Sequence, residues 1–184
     1  KAKELKVDNQ VNFRLCDYRE VKDKFDRIVS VGAFEHFGKK FYKTFFKKVK
    51  NILNNDGICL LHTIGSVDSP SSPQTWIQKR IFPGGIVPSL SDMVIPIEKT
   101  GLIISDCETL IHHYDKTLKA WLDRFIQNKE RAKLMHNKEF VRMWEFYLAS
   151  CSAAFKFRDL VVYQLQLVKN FSATPSNRRN YIYQ

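Results

Sequence analysis

One stretch decides the predicted fold: Phe25-Asp-Arg-Ile-Val-Ser-Val-Gly-Ala-Phe-Glu-His-Phe37. Residues 28–31 are rich in β-branched side chains, which is typical of a strand buried on both faces. Gly32 follows and lets the backbone pass close to a bulky group. Glu35 then lies at the carboxyl end of the strand, where open α/β sheets bind their ligands. The stretch predicts either a ligand site or an ordinary strand end with solvated polar residues.

The composition predicts a single domain of ordinary size. The chain has 184 residues, 44% of them hydrophobic, which is enough to bury a core. Its four cysteines lie far apart without a CxxC pair, so we expect reduced thiols and neither zinc nor a disulfide framework. Residues 1–6 are charged and lack both an apolar region and an initiator Met, and no run reaches the length of a membrane span. We therefore expect a cytoplasmic chain that begins partway through a longer protein.

The formal charge of +11 points to a partner of opposite charge. Basic chains bind nucleic acid, anionic lipid surfaces or acidic proteins. The lysines and arginines are dispersed, with clusters at residues 39–50, 127–138 and 177–179, and none forms a dense block. Charge by itself therefore leaves RNA, a phospholipid headgroup and a merely soluble basic surface open.

Hydrophobic periodicity predicts a strand–helix–strand unit around the central stretch. Residues 11–16 read as a strand, and residues 39–53 place apolar side chains at helical spacing opposite a basic face. Residues 54–57, Asn-Asn-Asp-Gly, are a turn signal, and the apolar residues 58–64 predict a second buried strand. Strand, helix and strand in succession form a right-handed crossover, so we expect a sheet that is at least partly parallel.

Helices and strands are also predicted for the second half of the chain. Residues 66–73 predict a Ser/Pro loop that is a candidate lid. Ser89 is the predicted N-cap of a helix that runs to about residue 100, contains Pro96 and ends at Gly101. The other predicted elements are a short helix at 74–82, a third crossover strand at 102–106, helices at 114–125 and 138–157, and a final strand at 160–168.

Five motifs carry a family resemblance. They occur in one order and cover most of the chain: the central stretch through Gly38, Leu60-Leu-His-Thr-Ile64, Ile81-Phe-Pro-Gly-Gly-Ile-Val-Pro-Ser89, Tyr114-Asp-Lys-Thr-Leu-Lys-Ala-Trp121 and Tyr147-Leu-Ala-Ser-Cys151. With these motifs the chain resembles the cyclopropane-fatty-acyl-phospholipid synthases and the similar mycolic acid cyclopropane synthases. The resemblance implies the α/β, Rossmann-like fold of S-adenosylmethionine-dependent methyltransferases, with a mostly parallel sheet whose last strand is antiparallel.

The chain departs from this family at the cofactor loop. The family has a glycine-rich loop after its first strand, whereas this chain has seven glycines and one adjacent pair, Gly84 and Gly85, in a later motif. We therefore expect residues 1–184 to be the C-terminal part of a single methyltransferase domain, lacking its first two strands in this chain. Within it we expect a lid or acyl-binding insertion at about 66–100 and helices at about 115–157. An upstream segment, or a second copy in a homodimer, would complete the cofactor site.

The resemblance also implies a bicarbonate site. In the family a bound bicarbonate is taken to be the base, and its holders match Glu35, His62, Tyr114 and the backbone N–H of Ile64. A carboxylate can accept the bicarbonate hydrogen, while imidazole, phenol and amide groups can donate to its oxygens. The side chains also have ordinary explanations, as a helix-capping glutamate, a hydrogen-bonded structural histidine and a packed tyrosine.

Further site residues come from the same resemblance. Cys151 matches a cysteine that has been regarded as catalytic, although its small neighbours fit close helix packing equally well. Asp17, Tyr18 and Arg19 match the segment that contacts adenine, where Asp17 would accept from the amino group and Tyr18 would stack. An ordinary turn at the end of a strand explains that segment as well. Gly32 joins the expected cofactor-binding residues, and we expect no metal site.

The implied function is the transfer of a methylene from S-adenosylmethionine to the double bond of an unsaturated phospholipid acyl chain. A carbocation forms, and loss of a proton to bicarbonate closes the cyclopropane ring. The expected partner is unsaturated phospholipid at the anionic inner face of a membrane, with peripheral association and no nucleic acid. The alternatives are a related methyltransferase that makes methyl-branched or hydroxylated chains, and an inactive fragment or basic module that binds lipid or RNA. Seven aromatic residues either line an acyl tunnel or fill the core: Phe34, Phe37, Trp76, Phe82, Trp121, Trp144 and Tyr147.

Overall fold

The computed structural model describes residues 1–68, 75–174 and 179–182. In chain order, the strands and α-helices are β1 (Phe25–Val31), α1 (Tyr42–Ile52), β2 (Leu53–Ser66), α2 (Thr75–Arg80), α3 (Leu90–Thr100), β3 (Ile103–Leu110), α4 (His113–Gln127), α5 (Lys129–Met135), α6 (Lys138–Phe157) and β4 (Leu160–Val168). Short 3-10 turns lie at Tyr18–Glu20, Phe34–His36, Lys39–Phe41, Phe171–Ala173 and Arg179–Ile182.

The strands form one four-stranded sheet in the order β1-β2-β4-β3. β1 and β2 are parallel, and β4 runs antiparallel to both β2 and β3. Three strands therefore point one way and the last strand is antiparallel to them, as the family resemblance implies. The position of this strand between β2 and β3 was not predicted. The helix α1 connects β1 to β2 as the predicted crossover.

The central strand β4 has a sequence that suits burial on both faces. Val161 and Leu165 pack with the α1 and α3 side of the sheet, whereas Val162 packs with the α4 and α6 side. Gln164 and Gln166 share the face of Val162, because alternate residues of a strand point the same way. Their amides meet side chains on the neighbouring strands β2 and β3, which pairs these polar groups inside the sheet.

Helices cover both faces of the sheet. One core lies under α1 and α3 and includes Phe34, Tyr42, Phe46, Leu61, Met93, Ile97 and Leu165. The other lies under α4 and α6 and includes Leu118, Leu148, Phe155 and Val162. Burial of each large apolar side chain stabilises the fold by about 1.5–3 kcal/mol.

The helix α3 begins and ends where the sequence predicts. Ser89 Oγ accepts from the Asp92 N–H at 3.2 Å, and the Asp92 carboxylate accepts in return from the Ser89 N–H at 3.0 Å. Gly101 ends the helix at φ +69°, a conformation that favours glycine. Pro96 lies inside the helix and is tolerated there.

Two local predictions are wrong. Residues 11–16 have no regular secondary structure, and no described strand pairs with them, so Phe13 and Leu15 are exposed. Residues 54–57 do not form the predicted separate turn between α1 and β2. They bulge within β2, because Phe25 pairs with Leu53 while Arg27 already pairs with Ile58.

The expectation that the first strand is buried on both faces is also wrong. β1 lies at one edge of the described sheet, and the side chains of Val29 and Val31 are 64% and 62% exposed. The strand predicted at 102–106 exists and extends to Leu110. It was expected as a third crossover strand, but the strand that it pairs with is the antiparallel β4. The helix α5 was not predicted.

Some predictions fall on residues that the structure does not describe. The predicted loop at 66–73 is described only up to residue 68, and residue 74 at the start of the predicted short helix lies outside the described ranges. No helix among the described residues has the length and hydropathy needed to cross a bilayer.

Candidate active site

The chain turns after β1 and buries Glu35. Gly32 has φ +63°, and its N–H donates to the His62 carbonyl oxygen at 3.1 Å. The 3-10 turn that follows buries Phe34 and Glu35, whereas His36 stays exposed with its ring against Phe82. The prediction that Glu35 follows the carboxyl end of β1 is confirmed.

Glu35 ties this turn to two other segments. Its Oε1 accepts from the Ile64 N–H at 2.6 Å, and its backbone carbonyl accepts from the Ile86 N–H at 2.8 Å. Its Oε2 is buried and has no hydrogen-bond partner among the described residues. A buried carboxylate oxygen without a donor is costly, so Glu35 offers an acceptor to a group bound beside it. The Ile64 N–H donates to Glu35 in this structure, so it is not free for bicarbonate here. Its donation to a bound bicarbonate stays a prediction.

His62 is oriented by the central strand. It lies half-buried on β2, between β1 and β4, and its Nδ1 is 3.1 Å from the Gln164 amide nitrogen. An amide N–H donates and cannot accept, so Nδ1 is the acceptor. With Nδ1 as the acceptor, the imidazole hydrogen lies on Nε2, which leaves His62 one donor for another partner.

The helices α4 and α6 bring Tyr114 and Cys151 to Glu35. Burial raises the pKa of the Tyr114 phenol, and the nearby charges of Glu35 and Cys151 raise it further. Tyr114 and Cys151 pack in one core under α4 and α6, and Glu35 is linked to them electrostatically as the third member of this cluster. The two helices are joined beside the cluster, where Ser152 Oγ donates to Asp115 Oδ1 at 2.5 Å.

The Cys151 thiol is protonated at neutral pH. Burial raises its pKa to about 11, and the hydrogen bond with Ser150 offsets only part of that effect. A thiol is a good nucleophile only as the thiolate. This environment suits Cys151 as a packed neighbour of Tyr147 and Tyr114 better than as a covalent catalyst.

Aromatic rings form a wall beside the same cluster. Phe82 and Tyr147 meet edge-on with centroids 5.9 Å apart, and Trp144 lies 5.1 Å from Tyr147. Trp121 packs against the Tyr114 ring at 5.9 Å. Phe34 and Phe37 belong to the core under α1 instead, so the seven aromatic residues divide between the two faces of the sheet.

The predicted adenine-binding segment lies on the α1 side of the sheet, in another part of the fold from Tyr114 and Cys151. The Arg19 guanidinium donates to both Asp17 carboxylate oxygens at 2.6–3.1 Å, and these bonds lower the pKa of Asp17 to about 2. The Tyr18 ring stacks on Phe37 with centroids 5.1 Å apart. The cofactor-binding roles of these residues and of Gly32 stay predictions.

A family comparison agrees with this geometry. The family model for mycolic acid cyclopropane synthetase matches residues 1–165. This chain belongs to the mycolic acid cyclopropane synthetase family.

Relatives in the family cover most of this chain. It is 41% identical over 155 residues to the cyclopropane-fatty-acyl-phospholipid synthase of Escherichia coli (strain K12). The aligned region covers 84% of this chain and 40% of that protein. It is 36% identical over 167 residues to the tuberculostearic acid methyltransferase UfaA1 of Mycobacterium tuberculosis. That alignment covers 88% of this chain and 39% of the relative. The chain therefore spans about 40% of the length of these relatives.

Solved structures share the fold. The cyclopropane synthase MmaA2 from Mycobacterium tuberculosis superimposes with a TM-score of 0.77 at 29% identity, over 89% of this chain and 64% of that one. The mycolic acid cyclopropane synthase CmaA1, complexed with SAH and CTAB, superimposes with a TM-score of 0.75 at 31% identity. The superposition covers 82% of this chain and 57% of that one. The four-stranded sheet is thus part of the Rossmann-like sheet of S-adenosylmethionine-dependent methyltransferases.

Sequence reasoning missed several supports of the site in this family member. Gln164 orients His62, Ile86 holds the Glu35 backbone, and the Asp115–Ser152 contact joins α4 to α6. Only Gln164 left a signal, as a polar residue inside an apolar strand. Within the described residues there is no group of three side chains suited to hold a metal ion.

Proposed function

We propose that this chain is the C-terminal part of an enzyme that transfers a methylene from S-adenosylmethionine to the double bond of an unsaturated phospholipid acyl chain. One observation carries the proposal. In a chain of the cyclopropane synthetase family, Glu35 is buried, its Oε2 has no partner among the described residues, and its charge raises the pKa of Tyr114. The relative from Escherichia coli is named for a cyclopropane-forming reaction on fatty-acyl phospholipid.

The reaction needs a base beside an apolar site. An alkene is a weak nucleophile, and S-adenosylmethionine as co-substrate supplies an activated methyl group. The π electrons form the new C–C bond, the electron pair of the broken S–C bond stays on sulfur, and the acyl chain becomes a carbocation. Removal of a proton from the added methyl leaves the C–H electron pair to close the ring.

The residues at the site fit a bound bicarbonate. Glu35 Oε2 is an acceptor without a donor, which suits the bicarbonate hydrogen. The raised pKa of Tyr114 keeps its phenol protonated at neutral pH, and His62 carries a hydrogen on Nε2, so both can donate to an oxyanion. Bicarbonate held there would supply the base for the proton on the added methyl.

The surroundings of the cluster suit an acyl chain and a positive charge. Phe82, Trp144 and Tyr147 present aromatic surface beside Cys151, and ring faces stabilise a nearby cation. No described atom comes within 4 Å of the position that a Cβ would take at Gly32, so that backbone is accessible to a co-substrate. We place the enzyme peripherally at an anionic membrane surface on the cytoplasmic side, which suits its charge of +11.

Mass spectrometry of acyl chains tests the proposal. The chain is mixed with S-adenosylmethionine and vesicles of unsaturated phosphatidylglycerol, in parallel with a version extended at the N-terminus to the length of the relatives. A gain of one methylene by either protein supports the proposal. No gain by either protein contradicts it and favours the binding-module alternative.

A methyl-branched product is the second candidate. A relative 36% identical to this chain is named as a tuberculostearic acid methyltransferase. The same carbocation gives a branched chain when the proton leaves a neighbouring carbon, and a hydroxylated chain when water adds. Proton NMR of the product distinguishes these outcomes, because only the cyclopropane has ring methylene protons.

A further inference from the structure

The helices α1 and α3 pack side by side and leave a groove at the surface. The groove has a volume of about 320 Å³. It is lined by residues of both helices and of the turn before α1, among them Lys39, Tyr42, Lys43, Asp92, Ile95 and Lys99. The site of methyl transfer proposed above does not use these side chains.

The charge of the groove is positive. Lys39 Nζ lies 2.9 Å from Asp92, the acidic residue of the lining, and Asp92 is further engaged in capping α3. Lys43 and Lys99 form no ion pair with a described residue and flank the groove from the two helices. Two uncompensated ammonium groups therefore face whatever lies in the groove.

A buried hydroxyl also lacks a partner there. Tyr42 is 2% exposed, and its hydroxyl is buried without a hydrogen-bond partner among the described residues. Burial raises the pKa of this phenol, and the carboxylates of Asp92 and Glu35 raise it further, so the hydroxyl keeps its hydrogen. Because the hydroxyl is buried, a headgroup phosphate at the surface of the groove does not reach it, and the lysines alone carry the binding of phosphate.

Apolar side chains stand among these lysines. Ile95 is 53% exposed on α3, and Phe41 is exposed just before α1 with the Lys40 ammonium 4.9 Å from its ring centroid. Lysines around exposed apolar side chains match the interface of a bilayer, where the charges meet headgroups and the apolar groups enter the acyl boundary. RNA would present aromatic bases, which stack on aromatic rings, whereas the exposed apolar side chain that lines the groove, Ile95, is aliphatic and suits an acyl chain better.

The groove lies between two helices that begin near the carboxyl ends of β1 and β2. α1 begins shortly after the turn that buries Glu35, and α3 begins at Ser89, which bridges to Ser66 at the carboxyl end of β2. Both helices therefore start at the edge of the sheet that carries the Glu35 cluster. A surface bound along this groove comes close to that edge.

We propose that the groove between α1 and α3 docks this chain on a bilayer that contains anionic phospholipid. Lys43 and Lys99 bind headgroup phosphates, and Ile95 enters the acyl boundary. The choice of a lipid partner rests on the proposed function, but docking itself requires no methyl transfer.

Vesicle binding tests the docking surface. The chain is sedimented with vesicles of saturated phosphatidylglycerol at about 0.1 M salt, so that screening is moderate and no double bond is present. Lys43→Gln/Lys99→Gln is compared with Lys116→Gln/Lys119→Gln, which removes the same charge from exposed positions on α4 across the sheet. Each lysine is expected to contribute about fivefold to the affinity, so the groove variant should bind about 25-fold more weakly. The control variant should bind much as the parent does.

A third variant and two competitors complete the test. Tyr42→Phe is expected to leave both vesicle binding and thermal stability unchanged, because its hydroxyl is buried away from the headgroups and has no partner among the described residues. Equal weakening by both double variants, or by neither, overturns the proposal. Competition by millimolar inorganic phosphate overturns it in favour of a free-phosphate site, and tighter binding of duplex RNA with the same variant dependence overturns it in favour of RNA. Since the vesicles are saturated, failure of methyl transfer does not affect these outcomes.

Discussion

Glu35 uses its two carboxylate oxygens differently. Oε1 accepts from the Ile64 N–H at 2.6 Å and holds the turn after β1 on β2. Oε2 is buried and has no partner among residues 1–68, 75–174 and 179–182. A substitution that preserves the first contact and changes the second atom therefore separates folding from chemistry.

Glu35→Gln is expected to fold but to lose turnover. The amide oxygen can still accept from Ile64, while an NH₂ group replaces the free acceptor. We expect the free energy of unfolding to stay within about 1 kcal/mol of the parent. Turnover of the complete protein should fall at least about 100-fold, because the base is no longer held.

Glu35→Ala is the matched control for this variant. It leaves the Ile64 N–H unpaired, so chemical denaturation should show a loss of about 1–3 kcal/mol. Unchanged acyl-chain products from Glu35→Gln would show that this carboxylate has no part in the reaction.

Cys151 is expected to react slowly with alkylating reagents. Its pKa of about 11 keeps the thiolate scarce at pH 7, and the thiolate fraction grows as pH rises towards 11. Iodoacetamide labelling followed by peptide mass spectrometry from pH 7 to pH 10 measures this, with the exposed Cys16 as the internal control. Faster labelling of Cys151 than of Cys16 at pH 7 would restore it as a candidate nucleophile.

At the scale of single elements, periodicity decided what the sequence could predict. The helix α6 and the strand β4 occupy the predicted residues because their apolar patterns are long and regular. Residues 11–16 show a similar pattern, but no described strand lies beside them to complete a ladder. For the site, Glu35 was predictable as a polar residue after a strand, and His62 was implied by the family resemblance but lies inside β2 and not at its end. The His62–Gln164 contact joins residues 102 positions apart and needed the sheet order.

The strands β2 and β4 meet closely at Gly65. A Cβ at this position would lie 2.3 Å from a Tyr163 ring carbon and 3.0 Å from the Pro88 carbonyl oxygen. The ring has little room to move, since its hydroxyl donates to the Ser66 carbonyl oxygen at 3.1 Å. Gly65→Ala should therefore lower the free energy of unfolding by about 1–3 kcal/mol in urea titrations.

The Tyr163→Leu background tests the cause of that loss. Removing the ring makes room for the Cβ, so Gly65→Ala should cost less there than in the parent. An equal cost in both backgrounds would show that the Tyr163 ring is not what excludes a side chain.

At the scale of the whole molecule, β1 is an edge of the described sheet with Val29 and Val31 exposed. In a parallel edge strand only alternate N–H groups reach the neighbouring strand. We expect alternate amides of Phe25–Val31 to exchange quickly with solvent, while β4, which pairs on both sides, exchanges slowly. Hydrogen exchange read by NMR measures both strands in one experiment.

Protection along the whole of β1 would contradict this expectation. It would show that another strand covers the edge in solution. A rise in protection with protein concentration would identify that strand as part of a second copy, as expected for a homodimer that completes the sheet.

The placement of β4 also governs when this protein can fold. β4 follows the other described strands in the chain, yet it joins β2 to β3 and is the only described neighbour of β3. Until residues 160–168 leave the ribosome, β2 lacks one of its neighbours and β3 has no described strand to pair with. Closing this long-range pairing costs loop entropy and slows folding. A nascent chain stalled before residue 160 therefore shows the apolar faces of both helical layers to chaperones and proteases.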